Sequence, residues 1–98
     1  MLEQFDKAFE SRIRLQIMSV LVANENYDFS SLKDMLEVTD GNLASHLKAL
    51  EREDYISVNK SFVGRKPNTR YAATMKGISA FKKHLESLEK LIKQQYKV

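Results

Sequence analysis

Residues 29–73 read FSSLKDMLEVTDGNLASHLKALEREDYISVNKSFVGRKPNTRYAA, and this stretch decides the fold. It opens with two short amphipathic helical patterns that are joined by a tight polar turn. Thr39 is a residue type that caps helices, and Leu43, Leu47 and Leu50 follow at the i, i+4, i+7 spacing of one buried helical face. The pattern predicts a helix, a turn and a second helix whose outer face is polar.

A candidate β-hairpin follows directly. Residues 55–60 and 69–73 alternate apolar and polar side chains as strands do. Gly64 and Pro67 mark the loop between them, which also carries positive charge. Helix, turn, helix and basic hairpin is the order of parts in a winged helix-turn-helix, whose second helix enters the DNA major groove.

Further elements are predicted ahead of this stretch. Ser11 is suited to cap a strongly apolar helix that runs to about Ala23, and such a helix belongs at the centre of the core. Residues 27–29 predict a very short strand beside the hairpin. Ser30 or Ser31 is expected to cap the helix that follows.

A last helix is predicted from Met75 to about Tyr96, with Thr74 as its cap. Its apolar side chains recur in steps of three and four residues, and a short N-terminal helix would present a second apolar stripe. Both stripes could complete the core of one chain, but the central helices already supply that core with their own leucines. We therefore expect a homodimer, with an interface formed by Leu2, Phe5, Phe9, Phe81, Leu85, Leu88 and Ile92.

The composition is that of an ordinary small globular domain, with 98 residues, 43% apolar and 30% charged. The absence of cysteine excludes disulfides and thiolate metal sites, and two isolated histidines cannot build a metal site alone. No apolar run approaches the ~20 residues of a membrane-spanning helix, and the N-terminus lacks the pattern of a signal peptide, so we expect a cytoplasmic protein. No nucleophile–base pair or glycine-rich phosphate loop is present, so we expect no enzymatic activity and no cofactor.

Positive charge is concentrated in the second half of the chain. Residues 1–40 carry four basic and eight acidic side chains, whereas residues 41–76 carry seven basic and three acidic ones. Residues 77–98 carry five basic and two acidic side chains. Basic runs are usually only solvated surface, but this one coincides with the second helix and the hairpin, where a phosphate-binding surface is expected.

Residues 38–51, VTDGNLASHLKALE, resemble the recognition helix of the MarR/ArsR group of winged-helix transcriptional regulators. Residues 14–18, RLQIM, are similar to the Arg-Leu-x-Ile-Leu pattern of their core helix, and residues 69–77 are similar to the second wing strand and the entry to the closing helix. Ala73 departs from the usual leucine, and the cysteines of the metal-sensing members are absent. The resemblance covers residues 11–80 and implies binding to double-stranded DNA.

The fold expected on these grounds is mainly α with a small β-hairpin (α+β), in a single domain spanning residues 1–98. The winged-helix core is predicted at residues 11–75. Dimerisation helices are predicted at residues 1–10 and 76–98.

DNA contacts are predicted on two elements. The polar face of the recognition helix has short side chains that suit base edges, flanked by groups that suit phosphates; it comprises Thr39, Asn42, Ser45, His46, Lys48 and Ala49. The wing residues expected to contact DNA are Lys60, Arg65, Lys66, Asn68 and Arg70. Phe62 is expected to pack on the base of the wing, with an apolar wedge in the minor groove as the alternative.

The function predicted from the sequence is a dimeric, sequence-specific transcriptional regulator, a repressor that reads a pseudo-palindromic operator. The alternative is a winged-helix module that binds another protein and no DNA. An interaction module would more often carry apolar or acidic side chains on the recognition helix and the wing. Nothing in the sequence indicates a small-molecule effector, and nothing excludes one.

Overall fold

The structure is a computed structural model, and it describes residues 5–96. The elements in chain order are a single 3-10 turn (Lys7–Phe9), α1 (Arg12–Ala23), β1 (Tyr27–Asp28), α2 (Phe29–Leu36), α3 (Asp40–Arg52), β2 (Ile56–Val63), β3 (Lys66–Ala73) and α4 (Met75–Tyr96). The mainly helical α+β fold predicted from the sequence is confirmed. No helix within the described range is long and apolar enough to cross a membrane.

Three helices build the centre of the core. The hydroxyl of Ser11 accepts a hydrogen bond from the Arg14 amide at 3.3 Å and so caps α1 as predicted. Ile17 of α1, Leu32 of α2 and the three leucines of α3 are buried together. The leucine spacing therefore identified the inner face of α3 correctly.

The start of α2 differs from the prediction. Its cap is Asp28, whose carboxylate accepts hydrogen bonds from the Ser31 amide at 3.1 Å and the Ser31 hydroxyl at 2.7 Å. The hydrogen bond from the Ser31 side chain is the main reason that the pKa of Asp28 lies below its usual value. Ser30 or Ser31 was expected to cap this helix, but the Asp28 carboxylate binds the free Ser31 amide, so the helix begins earlier, at Phe29.

The turn between α2 and α3 spans residues 37–39. Glu37 adopts a left-handed conformation with φ 53°, which ends α2, and Thr39 caps α3 by accepting from the Asn42 amide at 3.1 Å. Lys33 of α2 pairs with Asp40 at the start of α3 at 2.8 Å. The left-handed residue at the end of α2 and the cap at the start of α3 thus fix the conformation of the short turn between the two helices.

A three-stranded antiparallel sheet with the order β1–β3–β2 packs beside the helices. The very short first strand was predicted, but β2 and β3 are longer than expected and meet at a two-residue turn, Gly64 and Arg65. Gly64 has φ 65°, which suits glycine at the first position of such a hairpin turn. Lys66, predicted in the loop, is the first residue of β3 and pairs with Val63.

The closing helix α4 begins at a tight junction. Thr74 caps it by accepting a hydrogen bond from the Gly77 amide at 2.9 Å, and its own hydroxyl donates to the Asp54 carbonyl at 2.7 Å. Gly77 lies directly against the backbone of Tyr55, where an added Cβ would collide with the carbonyl oxygen. The absence of a side chain at this position allows α4 to approach the strand entrance.

The N-terminal segment contradicts part of the predicted interface. Among residues 5–10, the described part of this segment, a 3-10 turn forms with the Asp6 carboxylate as its cap, and Leu2 lies outside the described residues. Phe9 and Phe81 are only 3% and 7% exposed within one chain. The predicted dimer interface is therefore corrected at these two positions, because each ring already covers the other.

These residues belong to an aromatic cluster formed by Phe5, Phe9, Tyr55, Phe81 and His84. The Phe9 ring stacks on Tyr55 with centroids 5.5 Å apart and meets Phe81 and His84 edge-on at 5.8 and 5.3 Å. Phe5 meets His84 at 5.6 Å. These ring contacts join the N-terminal segment, the residue before β2 and α4 into one unit.

Asp6 fastens the segment to this cluster. The Tyr55 hydroxyl donates a hydrogen bond to the Asp6 carboxylate, and the Asp6 amide donates to Nδ1 of His84 at 3.2 Å. Burial, followed by the bond to Asp6, raises the pKa of Tyr55 well above its ordinary value. The two bonds connect residues that are 49 and 78 positions apart in the chain.

Candidate nucleic-acid interface

The exposed face of α3 is offset from the predicted one. With three leucines turned inward, a rotation of about 100° per residue points Ser45, Lys48 and Arg52 directly outward. Gly41, Asn42 and Ala44 are also exposed, as is the cap Thr39. The face remains low and polar, with no bulky side chain in its first two turns.

His46 and Ala49, which were predicted on this face, lie at its edge and are half-buried. Burial, and to a lesser extent the nearby charge of Arg14 on α1, lowers the pKa of His46. The Nε of Arg14 is buried and has no hydrogen-bond partner among residues 5–96. A positively charged side chain therefore stands beside the imidazole at the α1–α3 junction.

Arg52 and Arg14 belong to this region, although they are not among the residues predicted there. The signal for Arg52 was present, because Ser45, Lys48 and Arg52 are spaced i, i+3, i+7 and lie opposite the leucines. Arg14 gave no such signal, because its approach to α3 depends on how α1 packs.

The wing, defined here as residues 56–73, has two different faces. Side chains alternate along a strand, so Lys60 and Phe62 lie on the same face as Val58 and, across the register, Tyr71. The opposite face carries Lys66, Asn68 and Arg70, with Asn68 and Arg70 half-buried. Arg65 is exposed in the turn itself.

Arg70 is held in place by a neighbour. Its Nε donates a hydrogen bond to the side-chain oxygen of Asn26, which precedes β1. Its charge also contributes to the low pKa of Asp28, although the hydrogen bond from Ser31 has the larger effect. Of the predicted wing contacts, Arg70 is therefore tied to the sheet, whereas Lys60, Arg65 and Lys66 are exposed.

A groove of about 420 Å³ separates α3 from the wing. It is lined by Ala44, Leu47, Lys48 and Glu51 on the helix side and by Val58, Lys60 and Tyr71 on the sheet side. Burial here, with a smaller effect of the Glu51 carboxylate, raises the pKa of Tyr71. Lys48 and Lys60 thus border the same groove although they come from different elements.

Phe62 does not pack on the base of the wing. Its side chain is 72% exposed and lies one residue pair from the end of the hairpin, opposite Pro67. The expectation from the sequence is corrected, because the helices cover only the first residues of β2, Ile56 and Val58. Phe62 projects beyond that cover.

The far half of α4 carries an apolar stripe without cover. Leu85, Leu91 and Ile92 are exposed, Leu88 is half-buried, and every side chain from 89 to 95 is exposed. These apolar residues lie on the same side of α4 as Phe81 and His84, which are buried nearer the start of the helix. Of the predicted interface residues on α4, Leu85, Leu88 and Ile92 remain available to a second chain.

Residues 13–92 match the family described as the winged helix DNA-binding domain. The chain belongs to this family. A relative, an uncharacterized protein of Methanocaldococcus jannaschii, is 37% identical over 87 residues, which cover 89% of this chain and 95% of the relative.

Solved structures agree with this assignment. A transcriptional regulator homologue protein from Pyrococcus horikoshii OT3 superposes with a TM-score of 0.80 at 32% identity, over 95% of this chain and 97% of that one. HlyU from Vibrio cholerae N16961 superposes with a TM-score of 0.62 at 26% identity, over 87% and 84% of the two chains. The resemblance to winged-helix regulators noted in the sequence is confirmed. Within residues 5–96 no group of three or more histidine, aspartate or glutamate side chains is arranged to hold a metal ion.

Proposed function

We propose that this winged-helix protein is a transcriptional regulator that binds duplex DNA. The observation that carries the proposal is the shared groove, which Lys48 of α3 and Lys60 of the wing both line. Between Ile56 and Ala73 there are four basic side chains and no acidic one. Such a surface suits a duplex whose phosphates follow the groove while α3 enters the major groove.

Base reading is assigned to the exposed face of α3. Asn42 carries both a donor and an acceptor and can pair with the edge of an adenine, and Ala44 can contact a thymine methyl group. Ser45 and Lys48 extend the hydrogen-bonding surface. His46, at the edge of this face, is suited to a phosphate rather than to a base.

The regulator is proposed to act as a homodimer. The uncovered stripe on α4 supports this, because two copies could bury Leu85, Leu88 and Ile92 against each other. A two-fold dimer would read a pseudo-palindromic operator whose half-sites lie about one helical turn, ~10 bp, apart. Occupation of such an operator would exclude polymerase from an overlapping promoter, so the proposed role is that of a repressor.

Selection of binding sites from random duplexes, followed by a salt titration, tests the proposal. If each subunit neutralises about four to five phosphates, log K should fall against log[salt] with a slope of about −7 to −9. Asn42→Ala should weaken binding to the selected site by about 1–3 kcal/mol and leave binding to unrelated sequences nearly unchanged. Affinity that is insensitive to salt, or a selection without any preferred site, contradicts the proposal.

Sedimentation equilibrium of the wild type and of Leu85→Asp tests the dimer separately. The charged variant should sediment as a folded monomer, because Leu85 is exposed and a carboxylate there can be solvated in the single chain. Lys83→Asp is the matched control, since it adds the same side chain at an exposed position on the side of α4 opposite Leu85. A wild type of monomer mass at tens of micromolar contradicts the dimer but not DNA binding.

A further inference from the structure

Two adjacent apolar side chains stand uncovered at the end of the wing. Phe62 is 72% exposed and Val63 is 67% exposed. Full burial of such side chains stabilises a protein by about 1.5–3 kcal/mol each, and the single chain does not gain this free energy. A binding partner that covered them would gain it instead.

The surroundings of Phe62 indicate the chemistry of that partner. Its cross-strand neighbour is Pro67, which gives the tip an apolar edge. Lys60 lies on the same face, Arg65 lies in the turn, and Lys66 lies on the opposite face at the end of the hairpin. No acidic residue occurs within the wing. An apolar edge in a purely cationic setting suits a polyanion that also offers apolar surface, and duplex DNA offers the faces of its bases.

The position of Phe62 along the strand selects the minor groove. Phe62 and Val58 lie on the same face of β2, and Val58 borders the groove beside α3. Four residues of strand carry Phe62 about 13 Å beyond Val58. Half a turn of DNA, the distance from a major groove to the adjacent minor groove, is about 17 Å. With α3 in the major groove and the wing directed along the duplex, Phe62 would therefore lie near the neighbouring minor groove.

We propose that Phe62 is a wedge that inserts between base pairs in the minor groove flanking each half-site. The proposal rests on the DNA-binding function proposed above and extends it to the deformation of the operator. An inserted aromatic side chain partly unstacks one base step and bends the duplex toward the major groove. Lys60, Arg65 and Lys66 offset the repulsion between the phosphates on either side of that step.

A preference for DNA sequence follows from the wedge. Unstacking requires least free energy at pyrimidine–purine steps such as TA and CA, which are the most easily kinked. Each half-site should therefore have such a step about 5 bp, half a turn, outside the bases contacted by α3. This preference requires no hydrogen bond between the wing and a base.

The test uses the intact protein and duplexes that carry the selected site with 2-aminopurine at each flanking position in turn. Binding of the wild type should raise the fluorescence at one flanking step, because 2-aminopurine is quenched by stacking. Phe62→Ala should abolish the rise and reduce affinity for the TA-containing site about tenfold, within the range that a single base step contributes. Replacement of the TA step by GC should remove most of the difference between the two proteins.

Val63→Ala is the matched control, because it shortens an equally exposed apolar side chain on the opposite face of the same strand. It should retain the fluorescence rise and the affinity. If Val63→Ala and Phe62→Ala behave alike, or if the wild type binds its site without unstacking any flanking step, the wedge is refuted and the DNA-binding function stands. If the wild type binds no duplex, both proposals fail, and Phe62 becomes a candidate contact for a protein partner.

Discussion

The aromatic cluster and the wing tip place the same type of side chain in opposite environments. Phe9 is enclosed by Tyr55, Phe81 and His84, whereas Phe62 meets solvent on most of its surface. The first region holds the N-terminal segment and α4 onto the core, and the second contributes little to the fold. Substitutions in the cluster should therefore change stability, and substitutions in the wing should change binding.

Truncation of one phenylalanine in each region tests most directly whether the two regions differ in their contribution to stability. Phe9→Ala should lower the free energy of unfolding by about 3–5 kcal/mol, because it leaves a cavity among three rings. Phe62→Ala should change it by no more than about 0.5 kcal/mol, because its side chain is already solvated. Denaturation in guanidinium chloride at one fixed protein concentration compares the two, and similar losses for both would show that the wing tip is packed.

The aromatic cluster shows which parts of the fold could be predicted. Ser11, Thr39 and Thr74 were identified as caps because capping depends on residues three positions away. The cluster was not predicted, because Asp6 binds Tyr55 and His84 across 49 and 78 residues of chain. Apolar spacing at the N-terminus indicated that Phe9 would be buried, but it could not say whether a second chain or the same chain buries it.

The wing shows the same limit for the candidate site. Alternation of side chains located the hairpin, but the lengths of β2 and β3 depend on cross-strand pairing, which a single strand does not report. An aromatic residue in a strand gives the same sequence pattern whether a helix covers it or not. Phe62 was therefore placed at the wing base, and only the position of α3 in the structure shows that it projects free.

A second prediction concerns the charges of the wing. Replacing Arg65 and Lys66 together by alanine removes four charges per dimer and should reduce the salt slope by about 3–4 units. Binding should weaken on all sequences alike, with unfolding unchanged, since both side chains are exposed. Lys82→Ala with Lys83→Ala removes the same charge from α4 and should leave the slope nearly unchanged. Equal effects of the two pairs would mean that net charge, and not the wing, determines the salt dependence.

A third, smaller effect is expected from the hydroxyl of Tyr55. Tyr55→Phe keeps the stack on Phe9 but removes the hydrogen bond to Asp6, which should lower the free energy of unfolding by about 1.5 kcal/mol, the low end for bonds to charged groups. Tyr27→Phe is the control, because the Tyr27 hydroxyl forms no hydrogen bond to any residue between 5 and 96. Chemical denaturation of both variants measures the difference, and equal stability would show that the bond to Asp6 contributes nothing.

The smallest expected effect is a pH dependence at the edge of α3. Burial, and then the charge of Arg14, lowers the pKa of His46 below its ordinary value of about 6.5 in the folded chain. As the pH falls through 6.5, the unfolded chain binds the proton first, so His46 should make the protein less stable at pH 5.5 than at pH 7.5. Unfolding of the wild type and His46→Gln at both pH values isolates the contribution of the His46 imidazole. The variant should lose less stability than the wild type on acidification, and Arg14→Gln should reduce that difference because it removes the neighbouring charge. Equal losses of stability on acidification in the wild type and in His46→Gln would contradict the prediction. They would show that the imidazole is solvated to the same extent in the folded and unfolded chains, as expected for a residue on the fully exposed face of α3.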